Sequence, residues 1–367
     1  MAREKFKVYV DMRAKPGTGI CRYADTLLNF LPGSDPDCET VPWKDSFSSY
    51  QGSRISPAKA VCRMLYELFV LPFVLRKAGA AVFHCTKNFG LPVFARCAKV
   101  LTVHDVVPLE LAEYGGSPPT RFYYYLNYWL SCRGADRILC ISEFTRQRLL
   151  EHFPGVSAKV RVVHLGCRAD REAPSGADAA GRLAALGISR PYILTLGGTE
   201  PRKNVLFAAD AYLSSPQCRD HDFVIVGDEW PGRPFPERVK NAPEIHRLGK
   251  IHEADLRCLY RNAAVFVFPS LYEGFGLPPF EAMAYGVPVI AADASCMPEL
   301  LRDAALLFSP GDRADFAEKL DRMLHCGDTR TEYITRGSVC AARRPWSETV
   351  GQTAAVYREL ISERTAR

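Results

Sequence analysis

The chain has 367 residues with 47% hydrophobic side chains, ample for one or two domains with full cores. Its thirteen cysteines form no C-x-x-C pair and are odd in number, which argues against a disulfide framework or a metal site and for a reducing cytosol. The longest apolar stretch, residues 64–75, carries Glu67 and Pro72 and falls short of the about 20 residues a membrane span needs.

The N-terminal MAREKFKVYVDM passes straight into a strand-like run without an apolar signal region, so a cytoplasmic location is expected. The net charge of +6 is uneven: residues 1–165 carry 22 Lys and Arg against 14 Asp and Glu. A basic N-terminal half suits an anionic partner such as phospholipid headgroups, a pyrophosphate-linked acceptor or nucleic acid. An ordinary scatter of surface lysines and arginines is the plain alternative.

In chain order, residues 7–11 (KVYVD) read as a buried strand, followed by a glycine loop and an amphipathic helix from about Ile20. Gly17 and Gly19 have the first spacing of a dinucleotide fingerprint, but Arg22 occupies the third glycine position and no acidic residue ends a second strand. A dehydrogenase is thereby rejected, and the glycines are read as letting the loop approach a ligand. Residues 32–58 are polar and read as a surface loop. Residues 58–78 form a basic, apolar helix, packed inward or lying on a membrane surface. Residues 80–84 and 99–104 are buried strands of the parallel-sheet kind, ending in His84 and in His104–Asp105, at the edge where open α/β sheets bind ligands. An aromatic helix over 114–133, a strand over 137–142 and a helix over 143–153 capped by Ser142 follow, then a strand over 159–164.

Residues 166–190 break the pattern with Gly, Ala and charge and read as a linker with a short helix. The strand–helix alternation restarts at Pro191. Twice over and separated by a linker, it predicts an α/β protein of two doubly wound domains facing each other across a cleft. The expected division is 1–170, a linker over 171–190, 191–345, and a C-terminal helix over 346–367 that crosses back to the first domain, with Trp346, Val350 and Tyr357 as anchors.

The chain is organised around PSLYEGFGLPPFEAMAYGVPVIAADASCMPE, residues 269–299. A loop with two glycines feeds a helix that Pro278 and Pro279 can open, and Gly286 and Pro288 stop it before a strand over 287–292. Free amides and a positive dipole end make such a helix start an anion site. Glu273 in the loop and Glu281 in the helix suit the hydroxyls of a sugar attached to that anion; singly, each also reads as a solvated charge. Loop 197–204, GGTEPRKN, is a second site of this type, with Arg202 and Lys203 beside a helix whose N-cap is Asn204. Two cations and two dipole ends can neutralise a diphosphate without a metal. Asp220-His221-Asp222 mimics a D-x-D metal motif but precedes its strand at the amino end and reads as coincidence.

GTEPRKN (198–204) and PSLYEGFGLPPFEAMAYGVPVI (269–290), with the E-x7-E pair Glu273 and Glu281, make the chain resemble the retaining family-four glycosyltransferases with the GT-B fold. SCMPE (295–299), TVHDVVPLE (102–110), ISEFTRQRLL (141–150) and GTGICRY (17–23) extend the resemblance over nearly the whole chain, and the wording is most like bacterial O-antigen and polysaccharide mannosyltransferases. The resemblance implies a diphosphate-binding pair in Arg202 and Lys203, and donor-sugar and phosphate contacts from Glu273 and the amides of Gly274, Phe275 and Gly276. It implies a ribose-binding carboxylate in Glu281, a histidine near the donor sugar in His104, and a loop near the diphosphate at Gly17 and Gly19. Gly198 and Leu277 join the donor-binding set. The family pattern has a glycine near Cys21, a departure that bears on the path of the first loop.

Asp105 reads as structural rather than as a nucleophile, so the family mechanism implies front-face attack, with the leaving phosphate taking the acceptor's proton. The implied donor is GDP-mannose, with UDP-glucose or a UDP-N-acetylhexosamine as alternative and a UDP-sugar 2-epimerase as a different class on the same fold. The implied acceptor is a glycan or a polyprenyl-pyrophosphate-linked glycan, with peripheral contact to the anionic inner face of the cytoplasmic membrane. No cofactor, metal or nucleic acid is expected.

Overall fold

The computed structural model describes residues 5–14, 17–44, 57–167, 175–216 and 220–366. The part of the expected surface loop over 45–56 and the start of the expected linker, 168–174, lie outside them. The chain divides into two units, one made of 1–166 and 346–367, the other of 167–345.

The first unit is built on six parallel strands: β1 (Phe6–Asp11), β2 (Cys38–Trp43), β3 (Val82–Cys85), β4 (Ala98–Val103), β5 (Arg137–Cys140) and β6 (Val160–Val162), in the order β2-β1-β3-β4-β5-β6. β3 and β4 are buried along their whole length, which is why their sequence runs apolar instead of alternating. Phe83, Leu101, Val103 and Ile138 meet Leu71, Tyr128 and Leu149 from the covering helices in one core. β2 corrects the reading of 32–58 as a loop. CETVPW is short and carries Pro42, a residue that only an edge strand tolerates, and β2 is the edge, paired with β1 alone.

The expected helix over 114–133 begins later, at Pro118, because Gly116 takes a left-handed conformation (φ 65°) and separates it from the short turns Val107–Glu110 and Ala112–Gly115. Ser142 caps the helix Glu143–His152 by accepting from the Thr145 amide at 3.0 Å. The basic segment is helical from Pro57 to Lys77 with a π-turn at Tyr66–Val70.

The C-terminal helix Trp346–Thr365 belongs to this first unit. Trp346, Val350 and Tyr357 are buried in it, and Thr349 Oγ1 donates to the His164 carbonyl at 2.8 Å. Arg358 meets Asp35 at 2.7 Å, and Arg137 meets Glu359 and Glu363, each at 2.5 Å.

The second unit has β7 (Tyr192–Leu196), β8 (Asp222–Val226), β9 (Ile245–Gly249), β10 (Val265–Phe268), β11 (Val289–Ala292) and β12 (Leu306–Phe308), all parallel in the order β12-β11-β10-β7-β8-β9. Its core joins Ile193, Phe223, Val267 and Ile290 to Val205, Tyr212, Phe308 and Phe316. The helix Gly176–Ala185 packs here as well: Arg182 reaches Asp255 at 2.9 Å, so this part of the expected linker is an element of the second unit. Asp222 pairs with Arg190 at 2.8 Å and His246 at 2.9 Å, which gives the D-x-D look-alike a structural use.

Candidate active site

In the second unit, β7 and β10 are neighbours although the chain visits β8 and β9 between them. The order of strands reverses at that pair, and loops leaving the carboxyl ends on either side of such a switch frame a crevice. Those loops are 197–204 and 269–276. Gly198 sits at φ 56° where a Cβ would fall 1.9 Å from the Asp228 carbonyl oxygen, so its glycine is required by packing of loop on loop. Gly197 is likewise packed on the Lys203 side chain, 2.8 Å from an added Cβ. The two loops are joined by the Leu271 amide, which donates to the Arg202 carbonyl at 2.7 Å.

Pro201–Lys203 form a single 3-10 turn, after which Asn204 turns left-handed (φ 54°) to start the helix Val205–Leu213. Asn204 holds the N-cap position, but its side chain makes no capping bond there, a correction to the sequence reading; its role is the backbone turn. The helix Leu277–Ala284 has Gly276 at φ 82° as its cap residue and Pro278 and Pro279 in the first turn. A Cβ on Gly276 would lie 2.6 Å from Met297 Cε. Phe275 turns its ring inward onto Phe280, with the Arg344 guanidinium over both, so it is the backbone of Gly274, Phe275 and Gly276, followed by half-buried Leu277, that stands at the helix start.

Glu273 joins the loops electrostatically. Its Oε1 accepts from Lys203 Nζ at 2.6 Å and its Oε2 from Arg202 Nη1 at 2.9 Å. Arg202 also donates to Glu200 at 2.6 Å and to the Tyr272 carbonyl at 3.1 Å. Burial opposes charge on Glu273, yet Lys203 and Arg202 outweigh it and hold the carboxyl down at about 2. The two cations expected to face a diphosphate are therefore already organised by carboxylates. The Glu273 amide donates to Ser295 Oγ at 3.1 Å. Ser295 (φ 50°) and Asn204 are the non-glycine residues with positive φ among the described residues, and both border this site. Glu281, half-buried, accepts from the Tyr260 hydroxyl at 3.0 Å. Sequence reading missed Ser295 and Tyr260 as supports; backbone strain and a contact twenty-one positions apart leave no local signal.

In the first unit, Gly17 (φ 77°) precedes Thr18, whose Oγ1 accepts from the Cys21 amide at 3.3 Å, and Gly19 opens the helix Gly19–Ser34. His104 Nε2 lies 2.8 Å from the Thr86 carbonyl oxygen, so that nitrogen carries the proton and Nδ1 is an acceptor. Burial lowers this histidine to about 4 and keeps it neutral. Its backbone amide donates to Asn88 Oδ1 at 2.6 Å, and Asp105 accepts from Asn88 at 3.3 Å and from the Val107 amide at 3.2 Å. His84 lies deeper, 2.5 Å from the Tyr357 hydroxyl and 2.7 Å from Thr102 Oγ1, with burial lowering it to about 3.

The strand reversal of this unit lies at β1 and β3, and a second cluster missed from sequence fills its edge. Arg13 grips Asp11 with two bonds of 2.8 Å and meets Glu67 at 3.0 Å. Lys87 and Arg63 reach the same Glu67 oxygen at 3.2 and 3.1 Å. Burial opposes the Asp11 charge, but Arg13 and Lys87 bring the carboxyl well below the usual range.

A model of group 1 glycosyl transferases matches residues 190–326, and one of glycosyltransferase family 4 matches residues 31–171. The chain is 30% identical over 295 residues to the O-antigen chain mannosyltransferase B of Escherichia coli, covering 78% of this chain and 77% of that protein. It is 28% identical over 263 residues to the serotype-specific mannosyltransferase WbdA of Escherichia coli, covering 68% of this chain and 32% of that longer protein. Sucrose-phosphate synthase from Thermosynechococcus elongatus superposes with a TM-score of 0.74 at 19% identity, covering 98% of this chain and 100% of that one. HepE of Anabaena, solved with UDP and glucose, superposes with a TM-score of 0.73 at 17% identity, covering 96% of this chain and 99% of that one. The chain belongs to the family-four glycosyltransferases, has the GT-B fold, and is a hexosyltransferase.

Proposed function

We propose that the enzyme transfers mannose from GDP-mannose, with retention of anomeric configuration, to a glycan or lipid-linked acceptor in surface-polysaccharide synthesis. The observation that carries the reading is the Glu273–Arg202–Lys203 triad at the start of the helix Leu277–Ala284. The donor's diphosphate is assigned to Arg202, Lys203 and the amides of 274–276, its ribose to Glu281, and its sugar hydroxyls to Glu273. The mannosyl donor follows the names of the relatives in Escherichia coli.

In the transfer, the bond from the anomeric carbon to the diphosphate oxygen breaks, and its electron pair stays on that oxygen. The acceptor hydroxyl bonds to the same face of the carbon and gives its proton to the departing phosphate. Arg202 and Lys203 stabilise the charge developing there, with no metal assigned to the step. Glu273 remains a carboxylate throughout, since a group held at about 2 is a poor proton donor at neutral pH. The Glu273 and Glu281 pair with Arg202, Lys203 and Asn204 counts against a 2-epimerase, which needs acidic and histidine groups placed for proton abstraction and elimination.

A thermal-shift panel of GDP, UDP, ADP and their mannose, glucose and N-acetylhexosamine conjugates tests the donor on wild type and Lys203→Ala. A ligand at a hundred times its dissociation constant adds about 2.7 kcal/mol. GDP species alone should stabilise the wild type and lose that effect in the variant. Stabilisation by UDP species alone moves the donor to UDP-glucose or a UDP-N-acetylhexosamine, and a product of inverted anomeric configuration, read from its one-bond C1–H1 coupling, would sink retention.

A further inference from the structure

The two cations on Glu273 are not held alike. Arg202 is pinned from several sides: its side chain donates to Glu200, to the Tyr272 carbonyl and to Glu273 Oε2, and its own carbonyl accepts from the Leu271 amide. Lys203 rests its stem against Gly197 and its ammonium 5.7 Å from the centre of the Phe268 ring. Among the described residues, Glu273 Oε1 is the one hydrogen-bond acceptor of that ammonium, at 2.6 Å. Of the pair, the lysine is the cation that can change partners without breaking the joint between the two loops.

A change of partner would leave Glu273 Oε1 bare. Glu273 is 8% exposed, and a buried carboxylate that loses a charged donor without a replacement is strongly penalised. Three residues earlier in the same loop stands Ser270, fully buried, whose Oγ forms no hydrogen bond among the described residues. Burial works against the Glu273 charge, and after Lys203 and Arg202 the Ser270 hydroxyl is among the groups that favour it. The hydroxyl therefore stands beside the carboxyl without a formed bond to it. Ser295, the other serine at this corner, is already the acceptor of the Glu273 amide.

We propose that Ser270 is a positioning residue that takes over Glu273 Oε1 when a diphosphate draws off the Lys203 ammonium. Rotation of the Ser270 hydroxyl supplies a hydrogen bond to a charged acceptor, the stronger class of such bonds. A buried donor left unpaired in one arrangement is satisfied in the other, so the exchange favours release of the lysine to the phosphate. Arg202 keeps Oε2, and Glu273 stays ionised and aimed while its salt bridge opens. The inference rests on the proposed assignment of Arg202 and Lys203 to the donor's diphosphate.

The test combines urea denaturation with calorimetric binding of GDP and UDP to the full chain. Ser270→Ala should leave the denaturation midpoint without nucleotide unchanged or higher, since it removes a hydroxyl that has no bond there. The same substitution should weaken binding of the nucleotide roughly tenfold, the worth of a hydrogen bond to a charged group. In the Lys203→Ala background the serine already serves Glu273, so Ser270→Ala should there lower the folding equilibrium constant roughly tenfold without any nucleotide. A Ser270→Ala loss of stability that is the same in both backgrounds overturns the proposal, because it makes the serine an ordinary packing residue. An unchanged dissociation constant overturns it too. If neither GDP nor UDP binds the wild type, the donor reading fails. The nucleotide-free cycle then judges the exchange by itself: coupled energies uphold it and additive ones sink it.

Discussion

At the carboxyl ends of β1 and β3, the first unit buries Asp11, Arg13, Glu67 and Lys87 against one another. At the ends of β7 and β10, the second leaves the Arg202 and Lys203 side chains 21% and 18% exposed around Glu273. Both clusters sit where a parallel sheet reverses its strand order, and both join residues distant in sequence. The difference is access. Charges sealed from water can hold a loop in place but cannot change partners, because an unpaired buried charge is too costly. Charges at a rim can trade a carboxylate for an incoming phosphate at smaller cost. On the proposed reading, one reversal point is a brace and the other a receiver.

The sharpest way to break this comparison is to remove one carboxylate from each cluster. Glu67→Gln should cost about 3 kcal/mol or more in chemical denaturation, since three cations lose their common buried partner, and should leave the nucleotide-induced thermal shift intact. Glu273→Gln should instead change that shift and the rate of transfer more than the stability. Equal behaviour of the two variants would erase the distinction.

Acid titration separates the units further. An unfolded histidine takes up a proton near pH 6.5, whereas His104 and His84 stay neutral down to about 4 and about 3. Their stabilisation is complete above pH 6.5 and drains away as the pH falls toward those values. Glu273 is different: its contribution is present above 4.5 and is lost only on the way down to about 2. Between pH 7 and 5 most of the loss should come from the first unit, about 2 kcal/mol at pH 5 for each histidine, with a smaller part from His221 of the second unit, which burial also lowers. Denaturation curves of His104→Gln should show that much less pH dependence. The smallest effect is Tyr357→Phe, which deletes the hydroxyl facing His84 at 2.5 Å and should cost about 1 kcal/mol.

The parallel strands were legible because burial on both faces writes an unbroken apolar run, as in VFHC and VFVF. β2 was not, since an edge strand needs neither that run nor freedom from proline. In the candidate site, the glycines, Glu273, Arg202 and Lys203 could be read as a group because each loop carries its chemistry within a few residues. Their mutual ion pairing could not, for it depends on β7 and β10 being neighbours across some seventy positions. Gly198 illustrates the limit: it was placed in the donor-binding set, and the structure gives it a packing requirement against Asp228.

The first unit takes its last helix from residues 346–367, after the whole second unit has intervened. In order of synthesis, the second unit is therefore an insertion, complete as soon as Pro345 has emerged. Its two ends meet at a ladder contact, where the Cys167 amide donates to the Arg344 carbonyl at 2.6 Å. The loops 197–204 and 269–276 can reach their final form on the ribosome while Tyr23, His84 and Thr102 still wait for Tyr357. A premature stop near residue 345 would thus spare the younger half of the chain and strand the older one.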